Sequence, residues 1–257
     1  MGMWDEQKEE LKEKKDKKSD IIFKDLKDVD EKRGLKLGIY GDFSTGKTHF
    51  ALTCPEPIFI IDTEMGASPL YHSFEGKDIK VLDVAEEDGV NSWEKVISAV
   101  DFILTQEEVG TIIIDSASDI WDWCQEYSKV KVFHLTPIDR LKQQWDWGTI
   151  NKLYNGLIWK LVKKNCNLVI TAREAEVYAG AGQPTNITKP KWQKNTGYQL
   201  DFVLHNDKKI DKLGNNSFIS VVEKARPVGK MVGKSYSNLD FNTLKSQIEL
   251  LKGGDKK

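Results

Sequence analysis

The chain has 257 residues, with Lys+Arg 38 against Asp+Glu 40 and a formal charge of -2, so it can bury a sizeable core, and any nucleic-acid affinity must come from a local basic surface. Its three cysteines, Cys54, Cys124 and Cys166, are far apart and form no C-x-x-C pair, which fits buried thiols in a reducing compartment and argues against a disulfide framework or a structural metal. No apolar run approaches the roughly twenty residues that cross a bilayer, and the N-terminus is charged where a signal peptide needs an apolar stretch, so a soluble, cytoplasmic protein with no membrane partner is expected.

Residues 1–20 are a run of mixed charges with little to bury and read as a solvated arm outside the core. In 21–33, Ile21, Ile22, Phe23 and Leu26 form a small apolar island, a linker or oligomerisation segment that packs on its own domain or on a neighbouring subunit. Leu35 to Tyr40 then reads as a buried strand, and His49 to Leu52 continue a helix. Between them Gly41 to Thr48, GDFSTGKT, fits the pattern G-x-x-x-x-G-K-[ST] in the strand, loop, helix context that makes it work. Gly41 and Gly46 let the backbone close round a phosphate. The amides of Asp42, Phe43, Ser44, Thr45 and the following helix start, up to His49, face the anion. Lys47 supplies a point charge for the β and γ phosphates, and the Thr48 hydroxyl is a natural Mg2+ ligand.

Pro57 to Asp62 reads as a second buried strand with Glu64 just beyond its end, Lys80 to Val84 as a shorter one, and Val90 to Leu104 as an amphipathic helix. Thr111 to Asp115, TIIID, is an aliphatic strand whose terminal carboxylate, given the phosphate loop upstream, suits a magnesium held through water. The alternative is an aspartate that caps the next helix. From about Lys129 to Asp146 no clean period remains, and a long surface loop is expected that carries Lys129, Lys131, Arg140 and Lys142 beside aromatics. Thr149 to Lys164 is helical, and Asn167 to Thr171 is the next strand, with Arg173 and Glu174 past its end, where ligands of open parallel sheets bind. Ala175 to Gln193 is expected to be a second irregular loop, with Lys189, Lys191, Trp192 and Lys194 clustered at its end. Cations interleaved with aromatics suit single-stranded nucleic acid, a protein interface or a core anchor. Tyr198 to His205 and Asn216 to Glu223 read as an antiparallel hairpin, joined by a turn containing Lys212 and Gly214, and Phe241 to Leu251 as a last helix.

This order of parts resembles the RecA/RadA recombinase core, and most closely the compact single-domain RecA-like ATPases of bacteriophages and archaeal viruses, which would place the chain in a host cytoplasm. The resemblance covers roughly Gly34 to Leu244 and rests on GDFSTGKT, IFIIDTE, TIIIDS, LVITAR and VEKAR. It implies an α/β RecA-like ATPase domain over 34–251, with a mainly parallel sheet and a C-terminal hairpin, followed by a disordered tail over 252–257. It implies an ATP hydrolase using ATP and Mg2+, with Glu64 as general base and Asp115 on the metal. Arg173 stands where the family usually has a glutamine that senses the γ-phosphate. Lys224 and Arg226 match a basic pair that reaches the nucleotide of the adjacent subunit. The two basic loops take the places of the family's DNA-binding loops. The partners implied are single-stranded DNA, further copies of the chain in a ring or filament, and a single-strand-binding protein. The competing reading is a nucleotide-switched assembly protein with little DNA contact.

Overall fold

The computed structural model describes Phe23, Asp25 and residues 33–141, 143–179, 183–210 and 214–253. The charged arm, Ile21, Ile22, Leu26, Lys142, Lys212 and 254–257 lie outside the described residues. Of the two compact units, Met1–Arg33 and Gly34–Lys257, the second carries the fold.

Among the described residues it holds a mainly parallel sheet in the order β3-β2-β4-β5-β1-β7-β8-β9. The strands are β1 (Lys36–Gly41), β2 (Ile58–Asp62), β3 (Ile79–Asp83), β4 (Thr111–Asp115), β5 (Asn167–Tyr178), β6 (Pro184–Pro190), β7 (Phe202–Ile210), β8 (Asn216–Ala225) and β9 (Ser235–Ser237). The first five and β7 run parallel, β8 and β9 close the far edge antiparallel, and β6 pairs back on β5 off the main path. The helices are α1 (Lys47–Leu52), α2 (Gly89–Thr105), α3 (Ala117–Tyr127), α4 (Asp146–Lys163), α5 (Thr196–Gln199) and α6 (Phe241–Gly253).

The continuous apolar runs of the central strands follow from burial on both faces. Successive side chains alternate between two layers. Ile58, Ile60, Ile113 and Val169 face α1 and α6, where Phe50, Leu52, Phe241 and Leu244 meet them. Phe59, Ile61, Ile112 and Ile114 face α2, α3 and α4, meeting Trp93, Val96, Ile120, Tyr154 and Ile158. Lys36 is 1 % exposed, and its Nζ donates to Lys164 O at 2.8 Å and Cys166 O at 2.6 Å. That buried ammonium ties the start of β1 to the turn between α4 and β5. No helix among the described residues is long and apolar enough to cross a membrane.

Three local expectations are corrected. The stretch after α3 is not loop from Lys129 onward, because the helix continues as a widened turn over Ser128–Val132, with Phe133 N donating to Ser128 O at 3.0 Å. Ala175 to Gln193 is a β-hairpin rather than a loop, since β5 runs on to Tyr178 and β6 returns with Ala175 opposite Lys189. Tyr198 belongs to the helical turn α5, so β7 begins at Phe202. The first and third differences rest on local backbone bonds, Phe133 N to Ser128 O and Tyr198 N to Asn195 O, and the second on pairing between β5 and β6.

Candidate nucleotide-binding site

The carboxyl ends of β1, β2, β4 and β5 lie side by side, so the residues just beyond them share one end of the sheet. Gly41 and Gly46 are glycines for physical reasons. A Cβ on Gly41 would sit 2.1 Å from Asn206 O, and Gly46 has φ +80 with the Phe218 ring 3.1 Å from where its Cβ would be. Gly46 opens α1, and Phe50 N donates to its carbonyl at 2.9 Å. The loop is braced internally by Thr45 Oγ1 donating to Asp42 O at 2.9 Å, and from β7 by Asn206 Nδ2 donating to Thr45 O at 3.2 Å. Lys47 Nζ lies along the loop, donating to Gly41 O at 3.0 Å and Asp42 O at 2.6 Å. Burial pulls its pKa below the ordinary lysine value, against the opposing pull of Asp115, Glu64, Asp42 and Glu174. Phe43 is exposed at the loop tip with Lys208 Nζ 4.4 Å over its ring, and the His49 ring sits 5.1 Å from that of Phe74.

Thr48 Oγ1 donates to Asp115 Oδ2 at 2.6 Å, and Thr171 Oγ1 donates to Asp115 Oδ1. Asp115 is 3 % exposed. Burial pushes its pKa up, the hydroxyls of Thr171 and Thr48 draw it down, and the charges of Asp62 and Glu64 raise it again. A hydroxyl and a carboxylate converging in this way are hard oxygen donors suited to Mg2+.

Glu64 projects from the turn after β2. That turn is fixed by Asp62, a carboxylate 1 % exposed that accepts from Glu64 N at 3.1 Å, Gly66 N at 3.2 Å and Ala67 N at 3.0 Å. Arg173, at the position where the family resemblance puts a γ-phosphate-sensing glutamine, pairs with Glu64 Oε1 at 2.8 Å and with Asp119 Oδ1 at 2.8 Å. Sequence reasoning passed over Asp62, Asp119 and Asn206. Asp62 could have been noticed as a carboxylate ending a buried strand, whereas Asn206 carries no local signal.

The remaining candidates are more dispersed. Lys224 Nζ donates to Gly197 O at 2.7 Å, and Arg226 Nη2 donates to Tyr198 O at 2.6 Å. Burial lowers the Lys224 pKa, as does the neighbouring Arg226 charge. Both residues lie toward the opposite end of the sheet from the phosphate loop, because Lys224 and Ala225 pair with the start of β7, itself aligned with the start of β1. Within one chain they do not join the site. Lys129 Nζ donates to Pro137 O at 2.9 Å, Lys131 pairs with Glu94 at 3.7 Å and Lys191 with Asp122 at 2.7 Å. Arg140, Lys189 and Lys194 are exposed, and Lys142 lies outside the described residues. Trp192 is half-buried against the core, its ring atom Cη2 lying 2.6 Å from where a Cβ on Gly38 would be, so it anchors the base of the β5–β6 hairpin.

A family model described as an AAA domain, AAA_24, matches residues 33–230. The chain is 25 % identical over 214 residues, 78 % of its length and 83 % of the relative's, to the DNA repair and recombination protein RadB of Pyrococcus furiosus. Among solved structures it is similar to the flagellar accessory protein FlaH of Methanocaldococcus jannaschii, at 12 % identity and a TM-score of 0.40 over 80 % of this chain and 84 % of that one. It is also similar to a prototypical ATPase from the type III secretion system of pathogenic bacteria, at 11 % identity and a TM-score of 0.48 over 86 % and 64 % of the two chains. The family match spans every strand from β1 to β8 and takes in the phosphate loop with its facing carboxylates, so the chain belongs to the AAA_24 family of AAA domains and is a RecA-like P-loop ATPase.

Proposed function

We propose that the chain hydrolyses ATP with Mg2+, oligomerises, and binds single-stranded DNA in recombination, repair or replication, in an annealing or accessory role. The observation that carries the hydrolytic part is the contact of Thr48 Oγ1 with Asp115 Oδ2 at 2.6 Å beside the phosphate loop, with the Glu64 carboxylate over the neighbouring strand end. Thr48 and Asp115 would hold the magnesium, which neutralises developing charge on the phosphates when bound. Lys47 and the loop amides bind and orient the triphosphate, and Glu64 accepts the proton of the attacking water. Burial lowers the Lys47 pKa, and an arriving triphosphate opposes that shift, because a nearby negative charge favours the ammonium.

DNA binding is supported by the exposed Lys189 and Lys194 about the β5–β6 hairpin and by the name of the Pyrococcus relative, a DNA repair and recombination protein. Assembly is supported by two features. Lys224 and Arg226 stand away from their own phosphate loop, where they could serve only another chain's nucleotide. In addition, β3 is an edge strand among the described residues, with Val81 52 % exposed and an apolar groove of about 470 Å³ beside it lined by Phe59, Leu82, Phe102 and Ile103, a surface that a second copy could cover by strand pairing.

The test is an ATPase titration with and without single-stranded DNA, alongside salt-dependent DNA binding. The reading expects a steep salt slope and weaker binding on replacing Lys189 and Lys194 by alanine. Unchanged binding in that variant would remove the hairpin from the DNA interface.

A further inference from the structure

Arg173 has its guanidinium engaged by two carboxylates. Nε donates to Glu64 Oε1 at 2.8 Å and Nη2 forms an ion pair with the same oxygen at 2.8 Å, while Nη2 donates to Asp119 Oδ2 at 2.9 Å and lies 2.8 Å from Oδ1. The Ser116 hydroxyl lies 3.0 Å from Glu64 Oε1 and 3.1 Å from Asp119 Oδ2. Asp119 sits in the first turn of α3, its side chain only 16 % exposed, and accepts from Thr63 Oγ1 at 2.7 Å. The backbone of Arg173 is held too, its N–H donating to Ser118 Oγ at 3.0 Å and its carbonyl accepting from Lys191 N at 2.8 Å. One side chain therefore bridges from β5 across the end of β4 to the turn after β2.

The donors that reach the Glu64 carboxylate among the described residues all fall on Oε1. Oε2 is left as the oxygen that can take a proton from water. A glutamate in a turn would otherwise sample many rotamers, and a misplacement of about 1 Å at a reacting group can cost about a hundredfold in rate. We propose that Arg173 and Asp119 are positioning residues for Glu64: Asp119 fixes the guanidinium, and the guanidinium fixes the plane of the base. The inference rests on the reading of Glu64 as the general base. It gives Arg173, at the position of the family's sensor glutamine, a role as a contact with the base, and it brings Asp119 into the site. Lysine cannot replace the arginine here, because a point ammonium lacks the planar fork that holds both carboxylates at once.

The test measures MgATP hydrolysis by the full chain, steady-state and single-turnover, together with affinity for a fluorescent ATP analogue and the melting temperature. The variants are Glu64→Gln, Arg173→Gln, Arg173→Lys and Asp119→Asn, with the doubles Glu64→Gln/Arg173→Gln and Glu64→Gln/Asp119→Asn. Each positioning variant is expected to lower kcat by about tenfold, leaving KM and nucleotide affinity within about twofold, and Arg173→Lys is expected to restore little. In the Glu64→Gln background neither substitution lowers the residual rate further, since both act through that carboxylate. Additive losses in the doubles, weakened nucleotide affinity in Arg173→Gln, or an Asp119→Asn enzyme with full kcat would each overturn the proposal. A fully active Glu64→Gln would instead sink the base assignment, a result separate from additive losses beneath an impaired Glu64→Gln. Asp119→Asn preserves shape, so it keeps the test open should Arg173→Gln fold poorly.

Discussion

Replacing Asp62 by alanine removes the acceptor on which the turn carrying Glu64 is built. Three backbone N–H groups, of Glu64, Gly66 and Ala67, lose their partner at 3.1, 3.2 and 3.0 Å. Only the bond from Ala67 N is fully buried, those from Glu64 and Gly66 being part-buried, so with about 1–3 kcal/mol for the buried donor and less for the other two the loss comes to about 2–3 kcal/mol. Asp62 is also one of the charges that raise the Asp115 pKa, and its removal relieves that carboxylate. A net destabilisation of about 2–3 kcal/mol should lower the melting temperature by about 5–10 °C in a domain of this size and move the urea midpoint at constant slope. kcat should fall by about tenfold, with nucleotide affinity retained, since Glu64 moves while the phosphate loop does not. Asp62→Asn keeps one acceptor oxygen but turns an amide donor toward a backbone N–H, so its cost should be about half as large. Wild-type melting and wild-type kcat in Asp62→Ala would refute the view that this carboxylate organises the turn.

Lys47→Ala should abolish MgATP binding in a fluorescent-nucleotide titration, because Lys47 is the cation that lies along the loop backbone, whereas Lys208 Nζ stands over the Phe43 ring at its tip. The lowered Lys47 pKa gives a signed pH effect: kcat/KM, which reports the free enzyme, should decline on the alkaline side below the usual lysine range, while kcat holds to higher pH because bound phosphate favours the ammonium. Coincident alkaline limbs would contradict this. Lys36→Met should destabilise by about 3 kcal/mol in urea denaturation, since it strips a donor from the carbonyls of Lys164 and Cys166 at the buried end of β1. Mixing Lys47→Ala with Arg226→Ala subunits should recover part of the ATPase activity if basic residues act across subunits, and no recovery in any ratio would confine each site to one chain.

Much of the fold was legible because it rests on local chemistry. The spans TIIID and PIFIID were readable as buried strands since a parallel strand covered on both faces must be apolar at every position. The phosphate loop was readable because backbone curvature demands glycine at fixed places. The β5–β6 hairpin was not, since Ala175 to Gln193 is polar and contains glycine and proline, and only its pairing register makes it a strand pair. In the sequence, Trp192 among its lysine neighbours suited a nucleic-acid contact, a protein interface or a core anchor alike. Its half-buried place over Gly38 follows from a strand that lies far away in the chain.

The sequence by itself determined that a phosphate loop opens this domain, where it starts, and which lysine, hydroxyl and aspartate are the candidates to serve it. Those residues act within one short loop or at the end of one strand, and their spacing carries the chemistry. Tertiary structure alone decided what surrounds Glu64. Asp62 with Glu64, Ser116 with Asp119, and Arg173 come from three separate segments, and they meet only because β2, β4 and β5 are adjacent and end in register. Hydrogen-bond partners at that sequence distance leave no periodic trace. The same holds for Lys224 and Arg226, whose distance from their own phosphate loop is a consequence of β7 running parallel to β1 while β8 returns antiparallel.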